Sequence, residues 1–172
     1  MSKEKSMAPT ALPATDRYIS PEVTVYYWVP EIADINQPDR DELDHADAWD
    51  LSAEVASATG WEVAADRVAV PDLGTRKTGR ISGRINPGDA QLTCYASQDT
   101  DDVRAVIKRG DRGNVFIGYG GDVAGQHARV FAVEVSAVTP TVDVAGSEAS
   151  RVILDFSITD WAEDVVIPGP AS

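Results

Sequence analysis

Between Arg151 and Thr159 the chain alternates. Val152, Leu154, Phe156 and Ile158 fall on one side, and Arg151, Asp155, Ser157 and Thr159 on the other. Ile153 is the one apolar residue in the polar set. A period of two cannot make one apolar stripe on a helix; it specifies a strand with one buried face. The segment does not end in a simple turn. It runs into a charged elbow, Asp160-Trp161-Ala162-Glu163-Asp164, and then into Val165-Val166-Ile167-Pro168 near the C-terminus. A free terminus frays unless something ties it down. An apolar coda beyond a charged elbow therefore predicts docking on another surface, which points to assembly rather than catalysis.

The same period recurs along the chain. Glu22 to Val29 reads as a strand with Val23, Val25, Tyr27 and Val29 on one face and Thr24, Tyr26 and Trp28 on the other. Large groups on both faces predict that both are covered. Leu51 to Ala56 and Trp61 to Ala65 read as short strands around Ala58-Thr59-Gly60, and Pro71-Asp72-Leu73-Gly74 as a turn. Thr78 to Ile85 follows, with Ile81 and Ile85 inward and Arg80, Ser82 and Arg84 outward. Asn86-Pro87-Gly88-Asp89 reads as the turn of a hairpin between that strand and Ala90 to Ser97. Asn114 to Tyr119 and Arg129 to Val138 complete the set. One helix is expected near residues 99–109. It opens on Asp99-Thr-Asp-Asp102, puts Val103, Val106 and Ile107 on one face, and ends before Gly110.

Composition narrows the function. The 172 residues suit one domain with a core of its own. A net charge of −13 favours solubility and repels phosphate, which argues against a protein that grips nucleic acid. The single cysteine, Cys94, is in phase with Ala90, Leu92 and Ala96, so it reads as a small core residue in a reducing compartment. Lys3 and Lys5 are not followed by an apolar run, so no signal peptide is expected, nor a membrane segment. His45 and His127 are far apart and no Cys-x-x-Cys is present, so no zinc site is expected. Gly120 to Gly125 has phosphate-loop spacing but lacks the Lys and Ser/Thr that bind phosphate and Mg²⁺; it reads as a glycine-rich turn. Asp39, Asp41 and Asp44 do not make a calcium loop, because Leu43 stands where an oxygen ligand belongs. No cofactor and no catalytic constellation is indicated.

Charge is segregated. Residues 31–50 hold eight acids against the single base Arg40, whereas Arg67, Arg76, Lys77, Arg80 and Arg84 cluster with Asp72 as the one acid among them. Either these are two solvated surfaces, or they meet across a subunit contact and set its register.

The order of motifs adds a resemblance. Leu51-Ser-Ala-Glu-Val, Gly60-Trp61 and Val70-Pro-Asp-Leu-Gly-Thr-Arg76 come first, then Gly88-Asp-Ala-Gln-Leu-Thr-Cys-Tyr95 and Arg109-Gly110. Gly120-Gly-Asp122, Phe131-Ala-Val-Glu-Val-Ser136 and Asp155-Phe-Ser-Ile-Thr-Asp160 follow. From Tyr18 to Pro168 this order resembles the major tail tube proteins of long-tailed, non-contractile bacteriophages, especially those of actinobacteria. The resemblance implies a mainly β fold of two packed antiparallel sheets, sandwich- or barrel-like, with one short helix and extended arms. The arms would be residues 1–17 and 162–172. The β-domain would be 18–161, including an acidic loop at 31–50.

It also implies a structural, non-enzymatic role in the virion tail, after synthesis in the host cytoplasm. Hexameric rings would stack into a tube around a tape-measure protein, meeting terminator and tip proteins at the ends. Genomic DNA would pass without specific binding. The arms and loop would be disordered in the free subunit and order on assembly. Candidate contacts between subunits are Tyr18, Ile19, Asp39, Asp41, Asp44, Arg76, Arg80, Arg84, Val165, Val166 and Ile167. Candidate acids of a repelling lumen are Asp89, Glu134 and Asp155. A capsid-decoration or receptor-binding β-sandwich module is the alternative, as is a β-sandwich enzyme with a polar cleft; neither would form tubes.

Overall fold

A computed structural model describes residues 8–99 and 101–170. Strand accounts for 44 % of the chain and helix for 5 %, so pairing and packing of strands hold it together. The elements are β1 (Val25–Val29), a one-turn helix α1 (Arg40–Leu43), β2 (Trp49–Asp50), β3 (Val55–Thr59), β4 (Val63–Val70), β5 (Gly79–Pro87), β6 (Ala90–Tyr95), a second one-turn helix α2 (Val103–Val106), β7 (Arg112–Gly118), β8 (His127–Pro140) and β9 (Arg151–Val166). Seven strands form one antiparallel sheet in the order β2-β1-β7-β8-β9-β6-β3, and β4 and β5 form a separate two-stranded ribbon.

The large sheet curls into a half-barrel. Its two edges come close because β2 and β3 are joined by only Leu51 to Glu54. That linker is bonded on both sides: Leu51 N–H donates to Tyr26 O at 2.8 Å, and Tyr95 N–H donates to Glu54 O at 3.0 Å. Curling wraps the inner face around a first core of Trp28, Leu92, Val115, Phe131, Val135, Leu154, Phe156 and their neighbours. The outer face of β1, β7, β8 and β9 carries a second core, made by Val29, Leu43, Phe116, Val130, Val165 and Ile167. The acidic loop lies over this second core through Leu43. The expectation that β1 is covered on both faces therefore holds.

β8 and β9 serve both cores. The alternating residues Val152, Leu154 and Phe156 enter the first core, while Ala162, Val165 and Ile167 enter the second. Three register irregularities between the strands bend the pair on the way, and such bulges sharpen local twist. Here the coda departs from expectation. β9 runs through the charged elbow to Val166, with Asp160, Trp161 and Ala162 paired to Ala132, Phe131 and Val130. Ile167 then exchanges backbone bonds with the 125–126 turn, Gly125 N–H to Ile167 O at 3.0 Å and Ile167 N–H to Gln126 O at 2.9 Å. The apolar coda docks, but on its own chain.

The expected hairpin between Thr78–Ile85 and Ala90–Ser97 also gives way. β5 pairs with β4, and β6 pairs with β9 and β3. β3 and β4 form one arm of a long ribbon and β5 and β6 the other, so Asn86–Asp89 is a kink rather than a turn. The turn is at residues 71–78. The short helix expected near 99–109 forms as one turn, because Ile107 is already extended; α1 adds a second turn elsewhere. Its cap is as expected in kind: Asp102 accepts from Arg104 N–H at 2.9 Å. Arg104 also hydrogen-bonds that carboxyl with its side chain and holds it well below the usual carboxylate range.

Candidate assembly surface

The β4–β5 ribbon leaves the body of the molecule at a crossing that only glycine permits. Gly60 has φ +76°, and a Cβ there would lie 1.9 Å from Asp89 O. Gly88 N–H donates to Glu62 O at 2.8 Å, pinning the two arms. Trp61, between them, turns into the first core. Its ring meets Phe131 at 5.1 Å and Phe156 at 5.5 Å, and its indole N–H donates to Gln91 O at 3.2 Å. The ribbon is thus hinged on a buried aromatic anchor.

Beyond the anchor nearly every ribbon residue is exposed. Eight residues of strand extend about 26 Å at ~3.3 Å each. Opposite residues share a face. Val63 opposes Pro87 and Ala65 opposes Ile85; Arg67 opposes Ser82, Val68 opposes Ile81 and Ala69 opposes Arg80. Between Ala65 and Arg67 the register shifts by one extra residue on β5.

The shift inverts the phase. Ile85 shares a face with Val63, Ala65, Arg67 and Arg80, whereas Ile81 shares the other with Val68, Val70, Asp66 and Asn86. The 2.9 Å bond from Asn86 Nδ2 to Asp66 Oδ2 lies on that second face. Ile81 and Ile85 are therefore not on one inward face. They lie on opposite faces, 61 % and 58 % exposed. A ribbon with apolar residues on both sides has neither face suited to solvent. Arg84 sits in the bulge. Arg67, Arg76, Lys77, Arg80 and Arg84 take part in none of the ion pairs among the described residues.

The acidic loop is tightly built. Glu42 accepts from Asp39 N–H at 2.9 Å and from Ala33 N–H at 3.0 Å, closing the loop on α1. Arg40 reaches the glycine-rich turn and grips Asp122 with two bonds of 2.9 Å, while Nη2 also donates to Pro168 O at 2.8 Å. Tyr27 Oη donates to the same carboxylate at 3.0 Å. Arg40 hydrogen bonding, helped by Tyr27, holds the Asp122 carboxyl below its ordinary value. Burial, Asp122 and its hydrogen bond raise the Tyr27 phenol. One guanidinium thus joins loop, turn and C-terminal segment. Asp39, Asp41 and Asp44 remain on the outer surface, Asp44 beside Arg40 at 3.5 Å. Between loop, β1 and β7 lies a cleft of about 930 Å³ lined by Pro30, Glu31, Ile32, Asp41, Asp47 and Arg112, among others.

The other expected residues divide. Tyr18 and Ile19 are exposed, as a contact would require, and Tyr18 borders a groove with Tyr26 and Tyr119. Val166 is exposed, but Val165 and Ile167 are 0 % and 1 % exposed inside the second core. Alternation along β9 puts them there, so they offer no surface to a neighbour. Glu134 and Asp155 point away from the first core, since Val133, Val135, Leu154 and Phe156 point in. Glu134 pairs with Arg112 at 3.4 Å, and Asp155 accepts from Gln91 Nε2 at 2.7 Å. Asp89 is exposed at the foot of the ribbon. Cys94 is fully buried and its thiol is pushed up to about 12 by burial, so it is an inert core residue. Among the described residues no group of three His, Cys, Asp or Glu could hold a metal. No helix there is long and apolar enough to cross a membrane.

Sequence reasoning missed the Arg40–Asp122–Tyr27 junction, although Arg40 was marked as the lone base among eight acids. It also missed the phase inversion, for which Gly83 inside a strand pattern was the available signal.

The described residues thus form a curled β-domain that carries an exposed two-stranded ribbon. The profile of the phage tail tube protein family matches residues 13–170, and the chain belongs to that family. The family is structural, which places the chain among tail components of the virion. No curated protein matches it. Among solved structures, it resembles a sheath/tube terminator of an extracellular contractile injection system in the extended state. Identity is 9 %, with 87 % of this chain and 98 % of that one covered, at a TM-score of 0.58. It also resembles a chain in the six-fold symmetrised baseplate of the anti-feeding prophage. There the identity is 12 %, with 89 % and 96 % covered, at a TM-score of 0.52. At such identities these likenesses speak for the fold alone.

Proposed function

We propose that the chain is the repeating subunit of a phage tail tube: copies close into hexameric rings, and rings stack into a hollow conduit for genomic DNA. The observation that carries this is the β4–β5 ribbon, whose two faces both expose apolar side chains and whose two edges both lack strand partners among the described residues. Open edges template pairing with another chain, and closure in a ring removes them. Tape-measure, terminator and tip proteins are the further partners of such a tube. Assignment to a non-contractile tail rests on the order of sequence motifs.

The chain's net charge of −13 suits a wall that repels DNA, whose axis carries about one charge per 1.7 Å. Glu134 and Asp155, on the outward face of β8 and β9, and Asp89 at the ribbon foot are the acids proposed for that wall. Tyr18, Ile19 and Val166 are proposed as contacts between subunits. Negative-stain microscopy of the concentrated protein, alone and with tail initiators, tests the assembly. Hollow tubes of stacked rings are expected. Monodisperse globular particles under every condition overturn it.

A further inference from the structure

We propose that the tip of the β4–β5 ribbon of one copy seats in the acidic cleft between the 31–47 loop and β1/β7 of a second copy. This rests on the assembly reading above and names the surfaces that meet.

The ribbon tip has two chemistries. Val70 and Leu73 are exposed, Leu73 completely so. Arg76, Lys77 and Arg80 are exposed beside them and take part in no ion pair among the described residues. The cleft offers the complement of both. Pro30, Ile32 and Ala33 form an apolar part, and Glu31, Asp41 and Asp47 line the same space, with Arg112 the one arginine among its lining residues. Its floor is not free to collapse, because Glu42 ties the loop to Asp39 and Ala33, and Arg40 ties it to Asp122.

The ribbon is basic in a chain whose net charge is −13, so the rest of each copy repels every other copy. The ribbon tip is the place where a second copy is attracted, and the cleft is where its acids and apolar surface coincide. Within one copy the two surfaces do not meet: among the described residues β4 and β5 pair only with each other, and no residue of either lines the cleft. Repeated in one direction from copy to copy, such a contact generates rings or filaments.

The test uses two full-length variants. The ribbon variant carries Arg76→Glu and Arg80→Glu; the cleft variant carries Asp41→Lys and Asp47→Lys. All four residues are exposed, and the thermal midpoint of each monomer checks folding. Assembly is followed by light scattering and sedimentation, with microscopy of the products.

Each variant alone is expected to assemble on the order of tenfold more slowly than wild type, or not at all. An equimolar mixture is expected to recover assembly, with both variants incorporated equally. Each ribbon then finds a cleft of opposite charge. Leu73→Ser, which leaves all charges in place, is expected to slow assembly too. If wild type forms tubes and the variants assemble as fast alone, the pairing is wrong and the tube reading stands. If the mixture fails to recover, the two surfaces do not meet. If wild type never assembles, both readings fall together. Retention of duplex DNA by wild type at physiological salt, lost in the ribbon variant, would show that the bases face phosphate instead.

Discussion

At the residue scale the molecule turns on two junctions. Arg40 and Asp122 are 12 % and 20 % exposed, so removing one leaves the other poorly solvated. Asp122→Asn is expected to cost about 2 kcal/mol, the scale of hydrogen bonds to a charged group. A urea unfolding midpoint measures it. Acid should act at the same place. Asp122 titrates below its unfolded value of about 3.9. Its contribution is therefore full above that value and is lost as pH falls through the lower folded one. Wild type should weaken more steeply than Asp122→Asn as pH falls below about 4, and the two should run parallel from pH 5 to 8. At the other junction, Trp61→Ala removes the ring packed on Phe131 and Phe156 and should cost about 3–5 kcal/mol. Gly60→Ala should be equally harmful although it removes nothing, because its Cβ would overlap Asp89 O.

At the element scale the ribbon is separable from the body. β4 and β5 pair only with each other, and both cores are built without them except for Val63 at the foot. Replacing residues 65–85 by a two-residue Asn-Gly connection should leave the thermal midpoint within a few degrees of wild type and abolish tubes. Loss of folding in that variant would show that the ribbon belongs to the core after all. β9 is the opposite case. Deleting residues 165–172 removes Val165 and Ile167 from the second core. It should therefore destabilise the monomer by more than about 3 kcal/mol, rather than sparing the fold and impairing only assembly.

At the scale of the whole molecule, protection should follow the two cores rather than the irregular appearance of the sequence. Amide exchange in the monomer should be fast at residues 8–19 and 71–78 and slow at 43 and 165–167, whose side chains or amides are held inside. Fast exchange at 165–167 would mean that the C-terminal segment leaves the second core in solution. On assembly, protection should rise at the ribbon tip. A structure of the tube would test the wall as well: the charges pointing inward should sum to a negative value, and preformed tubes should not retain duplex DNA.

Alternation determined much of this from the sequence alone. Period two put Val152, Leu154 and Phe156, and Phe131, Val133 and Val135, on the faces that enter the first core, since a strand has only two faces; in 22–29 it gave two apolar faces, and past Val135 a register shift set Val138 rather than Ala137 against that core. Cys94 as a core residue, a glycine-rich turn at 120–125 and the cap at Asp102 were legible for the same kind of local reason. Strand partners were not. Whether Ile85 continues toward β6 or turns, and whether the coda after Asp164 meets a neighbour or its own β8, depends on contacts far apart in sequence. A bulge of one residue between Ala65 and Arg67 reversed the faces of the ribbon tip. Arg40 found Asp122 82 residues away, a pairing no periodicity encodes. Local chemistry chose strands and faces; only the folded chain decided which strands became core and which ribbon was left exposed for another copy.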